Sequence, residues 1–223
     1  MPECGIGLVP DVGGSHFLPR LSGQLGMFLA LTGSRLKGWD CLHAGIATHA
    51  VDNDNMESLE ADLLRLGDGG VVRVEDVQTV LDSHTDKSAY NGTSFSLAGQ
   101  LEKIDEIFSG GSVEEIMQRY SEDGSDWSLK QLKTMSRLSP TSVKVSYRQV
   151  REGGMLHSLA ECLNMEYRLV RRCCEDKDFY EGVRAAIIDK DNSPKWSPAT
   201  LDEVTEEVVD RYFSSLGEEE LRL

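Results

Sequence analysis

The chain has 223 residues, of which 39% are hydrophobic and 27% charged, and carries a formal net charge of −15 from 38 acidic and 23 basic residues. That length suffices for one large or two small globular domains with a buried core. The acidic balance argues against nucleic acid as a partner, because a phosphate backbone is repelled unless a basic patch exists, and the best cluster, Arg168 with Arg171 and Arg172, sits among Glu166, Glu175 and Asp176.

From the N-terminus, residues 6–10 read as a short extended segment stopped by Pro10, with Asp11 as the N-cap of a helix through Phe17, Leu18 and Leu21. Helix resumes over 24–31 and closes at Thr32-Gly33. A short helix over 38–44 ends at Gly45, and 46–51 is the one convincing strand. Helices follow over 56–66, with Leu59, Leu63 and Leu66 on one face, and over 74–81, before a polar loop over 83–96 containing Asn91-Gly92. Leu97, Leu101, Ile104, Ile107 and Phe108 mark an amphipathic helix by their three-and-four spacing. Helices are expected over 113–120, 127–138 and 141–149, the last two parted by Ser139-Pro140. Leu159, Leu163, Tyr167 and Val170 define a longer helix, 180–188 another, and 203–213 the last, after a rigid connector over 193–198. Gly-Asp-Gly-Gly at 67–70 suggests a boundary between a strand-bearing region, 1–66, and an all-helical one, 67–223. A lone strand builds no sheet, so 46–51 either hangs on helices or belongs to a sheet encoded upstream of Met1.

The five cysteines (Cys4, Cys41, Cys162, Cys173, Cys174) form no C-x-x-C pair, and the five histidines form no H-E-x-x-H, so no metal is expected. An odd, unpatterned cysteine count suits a reducing compartment, and Cys173-Cys174 reads as two small residues near a helix end. No run nears the eighteen apolar residues of a membrane span. The N-terminus shows neither a secretory core nor a basic amphipathic presequence.

Glu3 and Asp11 are the candidate chemical pair: two carboxylates flanking a proline turn can converge on one cavity and divide acid and base roles. Spacing alone favours the plainer reading, in which Asp11 caps a helix and Glu3 is a surface carboxylate. Gly13-Gly14 at a helix start can turn backbone N–H groups toward an anion, though close backbone approach explains the pair equally well. Ser15 and His16 are neighbours on a helix and point about 100° apart, which disfavours a nucleophile–base pair.

Glu3, then Gly7-Leu8-Val9-Pro10-Asp11-Val12-Gly13-Gly14 and Phe17-Leu18-Pro19-Arg20-Leu21, resembles a signature of the crotonase superfamily. Leu31-Thr32-Gly33-Ser34-Arg35-Leu36 and Ala44-Gly45-Ile46-Ala47-Thr48-His49 continue it in order. Leu138-Ser139-Pro140-Thr141-Ser142, Met165-Glu166-Tyr167-Arg168-Leu169, 178–185 and 188–196 narrow the resemblance to the 3-hydroxyisobutyryl-CoA hydrolase family of valine breakdown, over the whole chain. The resemblance implies an α/β crotonase-like spiral in the intact enzyme. The part present is expected to be predominantly α-helical with one or two short strands, as the C-terminal portion of a longer enzyme.

By the same resemblance Glu3 attacks the thioester carbonyl or activates water to do so, and Asp11 orients the substrate's hydroxyl or shares proton transfer. Gly13, Gly14 and Phe17 border the pocket. The oxyanion-hole glycine loops lie upstream of the segment matching Glu3, so the isolated chain is expected to be inactive. The implied partner is an acyl-CoA, with self-association or the missing N-terminal half as a possible second; no cofactor, nucleic acid or membrane is implied, and the family resides in mitochondria. Two other readings stay open: an enoyl-CoA hydratase or isomerase of the same fold, and a non-catalytic helical module that binds a partner.

Overall fold

A computed structural model describes residues 1–85, 93–221 and 223, and they form helices and turns with no strand among them. The helices are α1 (Gly14–Phe17), α2 (Leu25–Thr32), α3 (Trp39–His43), α4 (Met56–Asp68), α5 (Val74–His84) and α6 (Leu101–Phe108). They continue with α7 (Val113–Asp123), α8 (Asp126–Met135), α9 (Pro140–Gly153), α10 (Leu159–Glu175), α11 (Lys177–Val183) and α12 (Glu206–Phe213). The described residues separate into two units, Met1–Arg35 with Gln100–Leu223, and Leu36–Gly99. Residues 67–71 lie inside the second unit, at the end of α4 and before α5.

Serine caps start four helices of the larger unit. Ser112, Ser125, Ser139 and Ser158 each accept the N–H of the residue three positions on, which meets one of the free donors at a helix start. At α9 the cap is followed by Pro140, which needs no N–H there, so the break expected at Ser139-Pro140 is the start of a helix.

The centre of this unit is α2. All eight of its residues are buried, as befits a helix apolar on every side. It lies so close to the preceding turn that a Cβ on Gly26 would stand 1.8 Å from the Leu18 carbonyl oxygen. Phe28 packs edge-on against Phe108 at 5.7 Å and stacks on Trp127 at 5.9 Å. Truncating such a residue to alanine costs about 3–5 kcal/mol. A second apolar cluster joins Val9 to Val145 of α9, to Met165, Leu169 and Cys173 of α10, and to Val209 and Tyr212 of α12. Val9 therefore nails down the chain two residues before Asp11.

The smaller unit pairs α4 with α5, where His84 Nε2 meets Asp62 Oδ2 at 2.8 Å. Asp40 of α3 accepts the N–H and hydroxyl of Ser96, both at 2.8 Å, and these bonds hold its carboxyl below the usual range.

Three expectations need correction. Residues 46–51 are not a strand: the N–H groups of Ile46 and Ala47 both turn back to the Cys41 carbonyl, at 2.9 and 3.0 Å, and no strand stands beside them among the described residues. Apolar β-branched content makes a strand only where a partner accepts its backbone groups. Residues 6–10 do not begin as an extended segment, because Glu3–Ile6 is a 3-10 turn ended by Gly7 at φ 72. Asp11 is not an N-cap; that position before α1 is Gly13, with no side-chain cap. Asn91-Gly92, read as part of a polar loop, lies outside the described residues.

Candidate active site

The turn that carries Glu3 is fixed by the residue after it. Cys4 is 2% exposed; its thiol reaches the Ala30 carbonyl at 3.7 Å and Ser146 Oγ at 3.3 Å, and its carbonyl accepts the Ser139 N–H at 3.1 Å. Burial pushes the Cys4 thiol up to about 12, which leaves it a packing residue rather than a nucleophile. Ser139 also donates to the buried Asp178 of α11 at 2.6 Å, and Asp178 takes the Ser197 N–H at 2.8 Å. Burial raises the Asp178 carboxyl above its ordinary value despite these bonds.

Two glycines make the fit possible. A Cβ on Gly7 would lie 2.3 Å from the Asp178 carbonyl carbon, and one on Gly182 would lie 2.3 Å from that of Ile6. The Glu3 turn and α11 thus touch backbone to backbone.

Glu3 itself is half-buried, and its Oε2 is buried without a hydrogen-bond partner. Interior polar atoms are nearly always paired. Glu3 Oε2 shares its unpaired state with Tyr120 Oη, Ser128 Oγ, Thr141 Oγ1 and Gln149 Oε1 among others, and it is the one carboxylate oxygen in that state among the described residues. Burial raises the Glu3 carboxyl above its ordinary value, and the negative charge of Asp11 adds to the rise. The backbone hydrogen bond of Glu3 and the Met1 ammonium oppose it.

Asp11 rides on a strained turn. The next residue, Val12, is 81% exposed and sits at φ 50, a left-handed conformation that β-branched residues rarely adopt, and Gly13 follows at φ 90. The N–H groups of Gly13, Gly14 and Ser15 all have partners inside the protein. Gly14 donates to the Asp11 carbonyl at 2.8 Å, and Gly13 and Ser15 each donate to the Glu166 carboxylate at 2.8 Å. Gly13 and Ser15 thus hold the side chain of Glu166, which is 3% exposed. A side chain at Gly14 would be tight, since its Cβ would come 3.1 Å from Met1 Cε and from Pro10 Cβ. Phe17 ends α1 half-buried, its N–H on the Gly13 carbonyl at 3.1 Å. His16 and Ser15 are divided by environment, the serine fully buried on Glu166 and the histidine partly exposed.

A cleft of about 620 Å³ opens beside the Glu3 turn, lined by Gly5, Leu138, Gly182, Ala185, Asn192 and Trp196 among others. Neither carboxylate lines it. Among the described residues no group of three or more His, Cys, Asp or Glu side chains is placed to hold a metal ion, and no helix is long and apolar enough to cross a membrane.

Glu166 and Gln149 were not singled out from the sequence, yet a signal was there. On α10 the buried positions are Cys162, Met165, Glu166, Leu169 and Cys173, so a carboxylate stands inside an apolar stripe of helical period. On α9 Gln149 stands likewise among Val145, Ser146, Val150 and Gly153. A charged or amide residue on the face that must be buried needs interior partners; Glu166 and the Gln149 Nε2 find them around Asp11, while the Gln149 Oε1 has none among the described residues.

The family described as enoyl-CoA hydratase/isomerase matches residues 1–213 of the chain. The mitochondrial 3-hydroxyisobutyryl-CoA hydrolase of Danio rerio is 53% identical over 224 residues, covering 100% of this chain and 58% of the relative. The Homo sapiens protein of the same name is 51% identical over 223 residues, covering 100% and 57%. The chain thus spans little more than half the length of these curated relatives. A crystal structure of a carnitinyl-CoA dehydratase from Mycobacterium thermoresistibile superposes with a TM-score of 0.86 at 32% identity, over 100% of this chain and 60% of the other. An enoyl-CoA hydratase from Rhodobacter sphaeroides 2.4.1 gives 0.83 at 33% identity, over 100% and 61%. These overlaps assign the crotonase fold expected from the sequence, without the expected short strands among the described residues.

Proposed function

The chain belongs to the enoyl-CoA hydratase/isomerase family, and on that premise we propose that it carries the two working carboxylates of an acyl-CoA thioester hydrolase acting on 3-hydroxyisobutyryl-CoA. The observation that carries this reading is Glu3 Oε2, buried, unpartnered and raised in basicity beside the charge of Asp11. A carboxylate held above its ordinary pKa is a better proton acceptor and nucleophile near neutral pH. Glu3 either attacks the thioester carbonyl or takes the proton of the water that does. By either route the C–S bond breaks, coenzyme A leaves as its thiolate, and one water is consumed. Asp11 orients the 3-hydroxyl of the acyl group or shares the proton, and Gly13, Gly14 and Phe17 shape the adjoining wall. Valine breakdown in the mitochondrion is the setting that the relatives' names support.

Thioester hydrolysis also needs donors where the carbonyl oxygen turns negative, and losing one such donor costs about two to three orders of magnitude in rate. The backbone N–H groups of the Gly13–Ser15 turn are occupied internally, so they do not serve. We therefore propose that the 223-residue polypeptide alone hydrolyses no acyl-CoA detectably.

Release of free CoA thiol from 3-hydroxyisobutyryl-CoA tests both statements. The chain alone is expected to be silent, and a chimera joining it to the part of the Danio rerio relative that it does not span is expected to hydrolyse. In that chimera Glu3→Gln and Asp11→Asn should each lower kcat by about 100-fold or more. A chimera that hydrates a 2-enoyl-CoA and leaves the thioester intact would favour the hydratase reading, which the two bacterial structures at 32 and 33% identity keep in view.

A further inference from the structure

Two helices far along the chain grip the turn that carries Asp11, each with a polar side chain in the interior. From α10, Glu166 accepts the N–H groups of Gly13 and Ser15 and the Ser15 hydroxyl. From α9, the fully buried Gln149 donates its Nε2–H to the Pro10 carbonyl and lies 3.5 Å from Ser15 Oγ. The anchored groups flank Asp11, one residue before it and two and four after. Between them Val12 stays at φ 50, a conformation that persists only where its surroundings over-determine it.

A carboxylate in an apolar stripe is costly to bury, and replacing such groups by well-packed apolar side chains is often neutral or stabilising. The partners of Glu166 are two amides and a hydroxyl, all on one turn. Its placement is what that turn requires if Asp11 is to be held still.

We propose that Glu166 is a positioning residue for the Asp11 carboxylate, fixing the turn that carries it, with Gln149 as the second anchor. The inference rests on the reading of Glu3 and Asp11 as the working pair, and its test does not depend on turnover.

The test is a titration of the Glu3 carboxylate by carbon-13 NMR in the full chain, for the parent, D11N, E166Q and the double variant. Removing the Asp11 charge in the parent is expected to lower the Glu3 midpoint. In the E166Q background the same removal should shift it by less than half as much, and amide exchange at Gly13 and Ser15 should quicken at least about tenfold. The cycle cancels the direct effect of the Glu166 charge. If E166Q does not fold, E166D, which keeps the charge and shortens the reach by one methylene, is read in the same way. An undiminished D11N shift in either background means that Glu166 merely stabilises the fold, and overturns the proposal while leaving the pair intact. No D11N shift in the parent overturns the proposal and the pair together.

Discussion

Gly7 rests directly on the backbone of Asp178: its missing Cβ would lie 2.3 Å from both the carbonyl carbon and the carbonyl oxygen of that residue. Gly7 also sits at φ 72, so alanine there meets a clash and a strained backbone at once. Gly7→Ala is expected to cost about 2 kcal/mol or more. Gly182→Ala, which would meet Ile6, should cost a similar amount. Gly67→Ala is the control, since that helical glycine has open space around it and should gain up to about 1 kcal/mol. Urea unfolding midpoints of the three variants give the comparison.

Glu3 supplies a pH signature. Its folded-state pKa is raised above the ordinary 4.5, so its contribution to stability is fully present below that value and is lost as pH rises through the folded pKa. Glu3→Gln removes the loss. The variant should melt higher than the parent at pH 7, and the gap should close as pH falls below about 4.5. Melting temperatures from pH 4 to 8 decide this, and a gap that widens toward acid would contradict the buried, raised carboxyl.

Arg184 works in the opposite sense. It contacts Glu181 at 2.9 Å, Asp189 at 2.6 Å and Asp191 at 2.7 Å, and it holds Glu181 down to about 2, helped by the Lys195 N–H. A depressed carboxyl stabilises above its unfolded pKa and loses that effect as pH falls through the folded one. In Arg184→Met the Glu181 midpoint should climb back toward 4.5, as followed by NMR titration, and the acid limb of the stability profile should flatten between about pH 4.5 and 2.

Thiol reactivity should sort by burial. Cys174 is exposed, whereas Cys4, Cys162 and Cys173 are buried with thiols raised chiefly by desolvation. An aromatic disulfide reagent at pH 8 should label Cys174 first, Cys41 more slowly, and the other three only on unfolding. Early labelling of Cys4 would mean that the Glu3 turn opens on its own.

Most helices were legible because their signals are local. Ser139-Pro140 and Gly33 at φ 63 act through groups within a few residues, and they start or stop elements where the sequence placed a break. The misread segments depended on partners elsewhere. Residues 46–51 have strand composition and no ladder to join, and Asp11 stands where a cap would, but the chain takes a left-handed step at Val12 before the helix begins at Gly14. At the candidate site, Glu3 and Asp11 were proposed from the sequence, while the partners of the Asp11 turn were not: Glu166 and Gln149 reach it from more than 130 positions further along the chain, and helical period only says that they are buried. The glycine contacts at Gly7 and Gly182 likewise declare themselves only once two backbones meet.

The separation of 153 residues between Gly13 and Glu166 also sets a timetable. During synthesis Asp11 leaves the ribosome well before Glu166, and the bonds from Gly13 and Ser15 form only once the polypeptide has grown through the middle of α10. Nascent chains halted before that point should hold the acidic pair in a loose, exchanging ensemble, and the long loop closure that ends it is a slow, late event.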